Sequence, residues 1–241
     1  MKFGFKQGTS ICWILMIVTS VELVMASQIL ANKDNESSIK LPTNAPCAVC
    51  STGENTETYP VHSWSKYQGE VFYFRTVDCK KEFDRDPLAI ILGPTPRPLP
   101  DFVAQNLKGK IVDLKSKKYK KKLMLIDFWA TWCLPCLESI PELNQIQKKY
   151  KKKLTVLGIS LDTGQRAEGK VKKVVKEKKA SYPIWLAKSQ SSAFEAFNLK
   201  SVPTMFLVNR KQQIVAQWMG KVNHEKIEKS IETELNATAK K

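Results

Sequence analysis

The sequence predicts an α/β protein: a mixed sheet with helices on both faces, preceded by a small cysteine-containing α+β module. Three observations carry this expectation. Beyond residue 100, short apolar runs of strand length alternate with segments of helical period. Four prolines in Gly93–Pro100 make a helix or central strand impossible there and set that region apart from an earlier stretch with its own aromatics and cysteines. Finally, the apolar run Leu123-Met124-Leu125-Ile126 leads into Phe128-Trp129-Ala130-Thr131-Trp132-Cys133-Leu134-Pro135-Cys136, a strand that ends in a Cys-x-x-Cys turn at a helix start.

The elements follow in order. Lys110–Leu114 is a short strand and Leu123–Trp129 a buried one. From Pro135 to about Lys151, Ile140, Leu143, Ile146 and Tyr150 recur at spacings of three and four, which predicts a helix. Leu154–Leu161 is the next strand. Gly169–Lys179 is a lysine-rich helix with Val171, Val174 and Val175 inward, and Ser192–Phe197 a short helix. Thr204–Asn209 and Ile214–Trp218 are two strands around a Lys-Gln-Gln turn. His224–Leu235 closes as a helix with Ile227, Ile231 and Leu235 on one face. Strand-helix-strand followed by two strands and a helix gives a mixed sheet covered on both faces.

The chain divides into five expected parts. Residues 1–26 read as a signal peptide: Lys2 and Lys6 form a basic start, Ile11–Val24 is mostly apolar, and Val24-Met25-Ala26 suits a cleavage site. Glu22 interrupts the apolar run and argues against a permanent span, while an uncleaved N-terminal anchor stays open. The expected location is extracytoplasmic, in a periplasm, where disulfides persist. Residues 27–43 are a polar flexible linker, 44–92 a small module, 93–100 a proline-rich linker, and 101–241 the α/β domain.

The formal net charge is +16, with lysines clustered in 115–122, 148–153 and 170–179. Solvated helix faces explain such clusters, and attraction to an anionic membrane surface or an acidic partner is the functional alternative. No zinc-finger spacing, aromatic RNA-binding signature or basic zipper accompanies the charge, so nucleic acid is not an expected partner. Of six cysteines, Cys12 falls in the signal segment. The remaining five are odd in number, so stable disulfides cannot use them all.

Cys-x-x-Cys at a helix start suits disulfide exchange. Free N–H groups and partial positive charge there favour a thiolate, which is the nucleophile. A second cysteine one turn on resolves the mixed disulfide. Cys133 is therefore the expected nucleophile, partly exposed, and Cys136 the resolving thiol nearer the core. Pro135 fits the first helical turn, where its missing N–H costs nothing.

The run Asp127–Cys136 resembles the active-site segment of the thioredoxin superfamily, closest to its extracytoplasmic TlpA/ResA-like branch. Pro141, Gly158-Ile159-Ser160-Leu161-Asp162, Ser201-Val202-Pro203-Thr204 and Gly220 agree with that likeness, which covers roughly Leu99 to the C-terminus. The resemblance implies a thioredoxin-like mixed sheet and a redox-active Cys133/Cys136 pair that needs no cofactor. It implies a cis bond at Val202-Pro203 and a peptide-docking surface at Val202, Pro203 and Trp132, with simple packing the alternative for Trp132. It also implies that Asp127 is a buried acid serving Cys136, against the alternative of a strand-end carboxylate that reaches water. Relatives often carry Glu three residues after the second cysteine; here Ser139 stands there. The implied activity is an exported thiol-disulfide oxidoreductase that reduces or isomerises disulfides in specific proteins. Cytochrome c maturation or metal-site assembly is the implied setting, with a membrane-linked electron donor.

The earlier stretch carries Cys47-Ala48-Val49-Cys50, Tyr67-Gln68-Gly69-Glu70-Val71-Phe72-Tyr73-Phe74 and Asp78-Cys79-Lys80-Lys81-Glu82-Phe83. This order resembles the YHS/TRASH-type metal-binding module. The resemblance implies zinc or copper on Cys47, Cys50 and Cys79, with His62 as the fourth ligand and Asp78 a weaker choice, since Arg75 stands where many relatives place another cysteine. A Cys47–Cys50 disulfide that leaves Cys79 free is the alternative. A copper- or zinc-handling protein is accordingly the second functional expectation.

Overall fold

The computed structural model describes residues 41–51 and 57–239. The expected signal peptide, and the linker up to residue 40, lie outside the described residues. Pro46–Lys241 forms one compact unit.

The described residues begin with β1 (Asn44–Pro46), β2 (Thr58–Pro60), and a hairpin of β3 (Ser63–Tyr67) and β4 (Glu70–Phe74). Two short helices follow, α1 (Val77–Arg85) and α2 (Pro87–Leu92). Side chains set both starts: Thr76 caps α1 by accepting from the Cys79 N–H, and Asp86 caps α2 by accepting from the Ala89 N–H. Pro87 sits in the first turn of α2, where no partner for its nitrogen is needed.

The main sheet has eight strands in the order β5-β12-β11-β8-β9-β10-β6-β7. These are β5 (Arg97–Pro98), β6 (Val103–Asn106), β7 (Ile111–Asp113), β8 (Leu123–Trp129), β9 (Leu154–Ser160), β10 (Ile184–Ala187), β11 (Thr204–Val208) and β12 (Gln213–Met219). β8, β9 and β10 run parallel, and the outer pairs are antiparallel. The expected mixed sheet is therefore present. Three strands were not anticipated: β6, β10 and the two-residue β5. β5 lies inside the proline-rich segment at the sheet edge, a place where proline's missing N–H is tolerated.

Helices α3 (Leu134–Tyr150), α4 (Ala167–Glu177) and α6 (His224–Ala239) share one core with Leu123, Leu125 and Trp129 of β8. Helix α5 (Gln190–Phe197) contributes Ala193 and Phe197 to the opposite core, with Met124, Ile126 and Phe128 of β8. Alternation along β8 explains the division, because successive side chains point to opposite faces. The second core also takes in Phe74, Phe83, Ile91 and Leu92. The expected boundary at 93–100 is thus not a break in packing: the first module and the α/β region bury one apolar cluster together.

Candidate active site

Strand β8 presents Asp127 beneath α3, by the same alternation that puts Leu125 and Trp129 there. The side chain is buried at 1% exposure, and neither carboxylate oxygen has a hydrogen-bond partner among the described residues. Loss of solvation alone pushes its pKa up to about 7. The strand-end carboxylate reaching water is therefore not what folds. Asp127 lies in register with Gly158 on β9 and Met205 on β11. Gly158 leaves room for larger neighbours: a Cβ there would meet Ile184 Cδ1, Trp129 Nε1 and Tyr182 Cε2. Burial, and then the Asp127 charge, push the Tyr182 hydroxyl well above its ordinary pKa. Tyr182 had no sequence signal pointing to this place.

The turn after β8 is tied to the end of β9. Leu161 N donates to Trp129 O at 2.8 Å. Thr131 donates to Asp162 twice, from its backbone N at 2.8 Å and from its hydroxyl at 2.5 Å, and Ser160 Oγ donates to the same carboxylate at 2.8 Å. Asp162 thus holds the loop that delivers the cysteines. Sequence reasoning treated it only as a landmark of the Gly158–Asp162 run.

Cys133 is the N-cap of α3, and Pro135 occupies its first turn. The backbone N–H of Cys136 donates to Cys133 Sγ at 3.3 Å. A sulfur at this helix end receives an N–H and the positive end of the helix dipole, and both stabilise charge developing on it. Cys133 and Cys136 are joined in a disulfide, with Cα atoms 5.3 Å apart. Cys136 is fully buried. Cys133 is buried too, at 4% exposure, so the expected partial exposure of the nucleophile is corrected. The exposed groups are its neighbours, Trp132 at 66% and Leu134 at 65%.

Opposite lies the cis peptide Val202-Pro203. Pro203 O accepts from Gly220 N at 2.8 Å, and Ser201 O accepts from the Thr204 hydroxyl at 2.7 Å. A cleft of about 290 Å³ is lined by Trp132, Leu161, Phe194, Lys200 and Val202. A second, of about 540 Å³, is lined by Pro135, Ser139, Pro203, Gly220 and His224 among others. Trp132 and Val202 thus meet in one cleft, and Pro135 and Pro203 in the other. Ser139 donates its hydroxyl to Cys136 O at 2.8 Å, which satisfies it on its own helix. Two acids of the same cleft are paired within it: Glu138 with Lys221 at 3.6 Å, and Glu142 with His224.

The first module brings Cys47, Cys50 and Cys79 together, their sulfurs all within 4.8 Å of one another. All three are free thiols, and the Cys50 and Cys79 sulfurs lie 3.5 Å apart. Cys50 and Ser51 both donate backbone N–H groups to Cys47 O, which curls the chain into a tight knuckle. Cys79 sits in the first turn of α1, and the Thr76 hydroxyl donates to its sulfur at 3.1 Å. Burial first, then the Cys79 and Cys47 thiols, push Cys50 up to about 11. Burial opposes ionisation at Cys47 as well, but backbone hydrogen bonds at Arg75, Val49 and Cys50 hold its thiol below the usual value. His62 is exposed and lies outside this cluster, as does Asp78. The Arg75 guanidinium stacks on Tyr59 at 5.0 Å.

A strand-turn-helix carrying a Cys-x-x-Cys disulfide opposite a cis-proline, on a mixed sheet, defines a thioredoxin-like thiol-disulfide oxidoreductase. Residues 96–217 match the AhpC/TSA family, and the chain belongs to it. The chain is 32% identical over 129 residues to the thiol-disulfide oxidoreductase ResA of Bacillus cereus, covering 54% of this chain and 72% of that protein. It is 29% identical over 133 residues to the thioredoxin-like protein YneN of Bacillus subtilis, covering 55% and 76%. Among solved structures, it resembles a putative thiol:disulfide interchange protein DsbE from Chlorobium tepidum. That match has a TM-score of 0.51 and 28% identity, over 60% of this chain and 96% of the other. The C-terminal domain of a putative thiol-disulfide oxidoreductase from Bacteroides thetaiotaomicron matches with a TM-score of 0.52 and 27% identity, over 60% and 97%.

Proposed function

We propose that the protein is an exported oxidoreductase whose Cys133/Cys136 dithiol reduces or isomerises disulfides in specific protein partners. The observation that carries this reading is the Cys133 sulfur at the start of α3, receiving the Cys136 N–H, next in sequence to Trp132, which lines a cleft with Val202. In the reduced form, the Cys133 thiolate attacks one sulfur of a partner disulfide. That S–S bond breaks, and its second sulfur leaves and takes up a proton. Cys136 then loses its proton and attacks Cys133 Sγ, which releases the partner's remaining thiol. Two electrons pass to the partner, and the chain is left with the Cys133–Cys136 disulfide seen in the structure. Asp127, buried on the α3 face with a pKa near neutrality, suits acceptance of the Cys136 proton. The Val202 backbone offers an edge to an extended peptide, and Trp132 offers an apolar surface beside it.

Each turnover requires a dithiol reductant, and a membrane-linked electron donor fits an exported enzyme. The basic start and apolar run of residues 1–26 support export to a periplasm. Among the described residues no helix is long and apolar enough to cross a membrane. The lysine clusters suit attraction to an anionic membrane surface. Cytochrome c maturation or assembly of a metal site is the setting we favour.

Turnover of insulin disulfides by the pre-reduced protein tests the reading. Cys133→Ser abolishes it, and Cys136→Ser accumulates a mixed disulfide on Cys133; undiminished insulin reduction by Cys133→Ser sinks the proposal.

A second reading, copper or zinc handling, is favoured by one observation: three sulfurs converge within 4.8 Å. Three soft donors suit copper(I) or zinc, and the described residues supply no fourth protein ligand. Metal content of the purified chain, compared with Cys79→Ser, tests it. Equal metal in the two removes this reading.

A further inference from the structure

The hairpin of the first module reaches the peptide-docking loop. β3 and β4 are joined by Gln68 and Gly69 alone, with Tyr67 opposite Glu70. Both turn residues have positive φ, 52° at Gln68 and 90° at Gly69, the backbone of a tight hairpin turn that matches strand twist. Glycine adopts this freely, whereas glutamine does so against its preference. Its side chain has a use there. Gln68 Nε2 donates to the backbone oxygen of Met219, 151 residues away, at 2.5 Å. Its Oε1 fills the space where a Cβ at position 220 would stand, so the glutamine tip packs on the bare backbone of Gly220. Gly220, at φ 73°, in turn donates its N–H to Pro203 O. An unbroken run of contacts thus links the hairpin tip, Met219-Gly220 and the cis-proline loop.

We infer that Gln68 is a positioning residue for protein-substrate binding: it clamps Met219-Gly220 so that the Val202-Pro203 edge is held ready for an extended peptide. The inference rests on the docking role proposed above for that edge. Gln68 itself touches neither sulfur of the redox pair, so its loss affects how a peptide is held and not how Cys133 reacts. Removing one hydrogen bond of this kind predicts a rise of about three- to tenfold in KM for a protein disulfide.

The test uses the full chain. In Gln68→Ala, KM for insulin rises by about that factor while kcat stays within about twofold. Gln68→Glu keeps the length but loses the donor, and gives the same rise. Amide hydrogen exchange at Gly220, read by mass spectrometry or NMR, becomes faster in both variants, and this readout stands whether or not insulin is a substrate. An unchanged Gly220 exchange rate overturns the inference. So does an unchanged insulin KM, or a kcat that falls as much as KM rises. A wild-type chain that reduces no insulin counts against the oxidoreductase reading instead, and the exchange result then decides the clamp alone.

Discussion

Asp127 combines a strongly apolar position with an ionisable group that has no partner. With a folded pKa of about 7 against roughly 3.9 in an unfolded chain, the folded state binds the extra proton between those values. Stability is therefore full below about pH 4, declines as pH rises, and reaches its lower plateau above about pH 7. The difference amounts to about 4 kcal/mol. Asp127→Asn removes the dependence: its advantage over the oxidised wild type grows by about 2–3 kcal/mol between pH 5 and pH 8, measured by urea unfolding at each pH. A gap that stays constant with pH would show that Asp127 is not the titrating group. The sequence placed this acid in an apolar strand. Its lack of a partner depended on Gly158, Tyr182 and Met205 arriving from other strands and loops, which no local pattern records.

At the level of elements, Gly158 of β9 leaves its place on the sheet face to side chains from β8, β10 and the loop preceding β10, since a Cβ there meets Ile184, Trp129 and Tyr182 at once. Gly158→Ala is expected to destabilise the chain by about 1–3 kcal/mol, read as a lowered urea midpoint with unchanged slope. The helices were legible from their apolar period: α3 starts one residue before the expected Pro135, and the expected Gly169–Lys179 helix starts at Ala167. α5 begins at Gln190, two residues earlier than expected, because Ser189 caps it by accepting from the Ser192 N–H. The missed strands β6 and β10 are four residues each, too short for a two-residue period to stand out. Ile184–Ala187 is buried throughout and carries no alternation at all.

For the molecule as a whole, the shared apolar cluster is decisive. Phe83 of α1 is 1% exposed and packs on Phe74 at 5.2 Å and Phe72 at 4.7 Å between ring centres. It belongs to the same core as Phe206 and Trp185 of the main sheet. Phe83→Ala is expected to cost about 3–5 kcal/mol and to lower the unfolding temperature of residues 46–241 together. Calorimetry and the fluorescence of buried Trp129 and Trp185 should report one transition. A separate, early transition confined to the first module would contradict the common core.

Much of the site was readable from the chain alone, because its parts are local. The Cys133–Cys136 spacing, the apolar strand before it and the helix-compatible Pro135 are written in contiguous residues and short-range stereochemistry. The sequence by itself thus determined the redox pair, the mixed sheet and the grouping of three cysteines as candidates. Tertiary structure alone decided that Asp162 holds the redox turn, that Asp127 is sealed from water, that His62 stands apart from the three thiols, and that the hairpin tip meets Gly220. Each of these depends on segments tens of residues apart, brought together by burial of an apolar surface to which both contribute. Such burial acts without direction along the chain, so it leaves no period or spacing for a sequence reading to find.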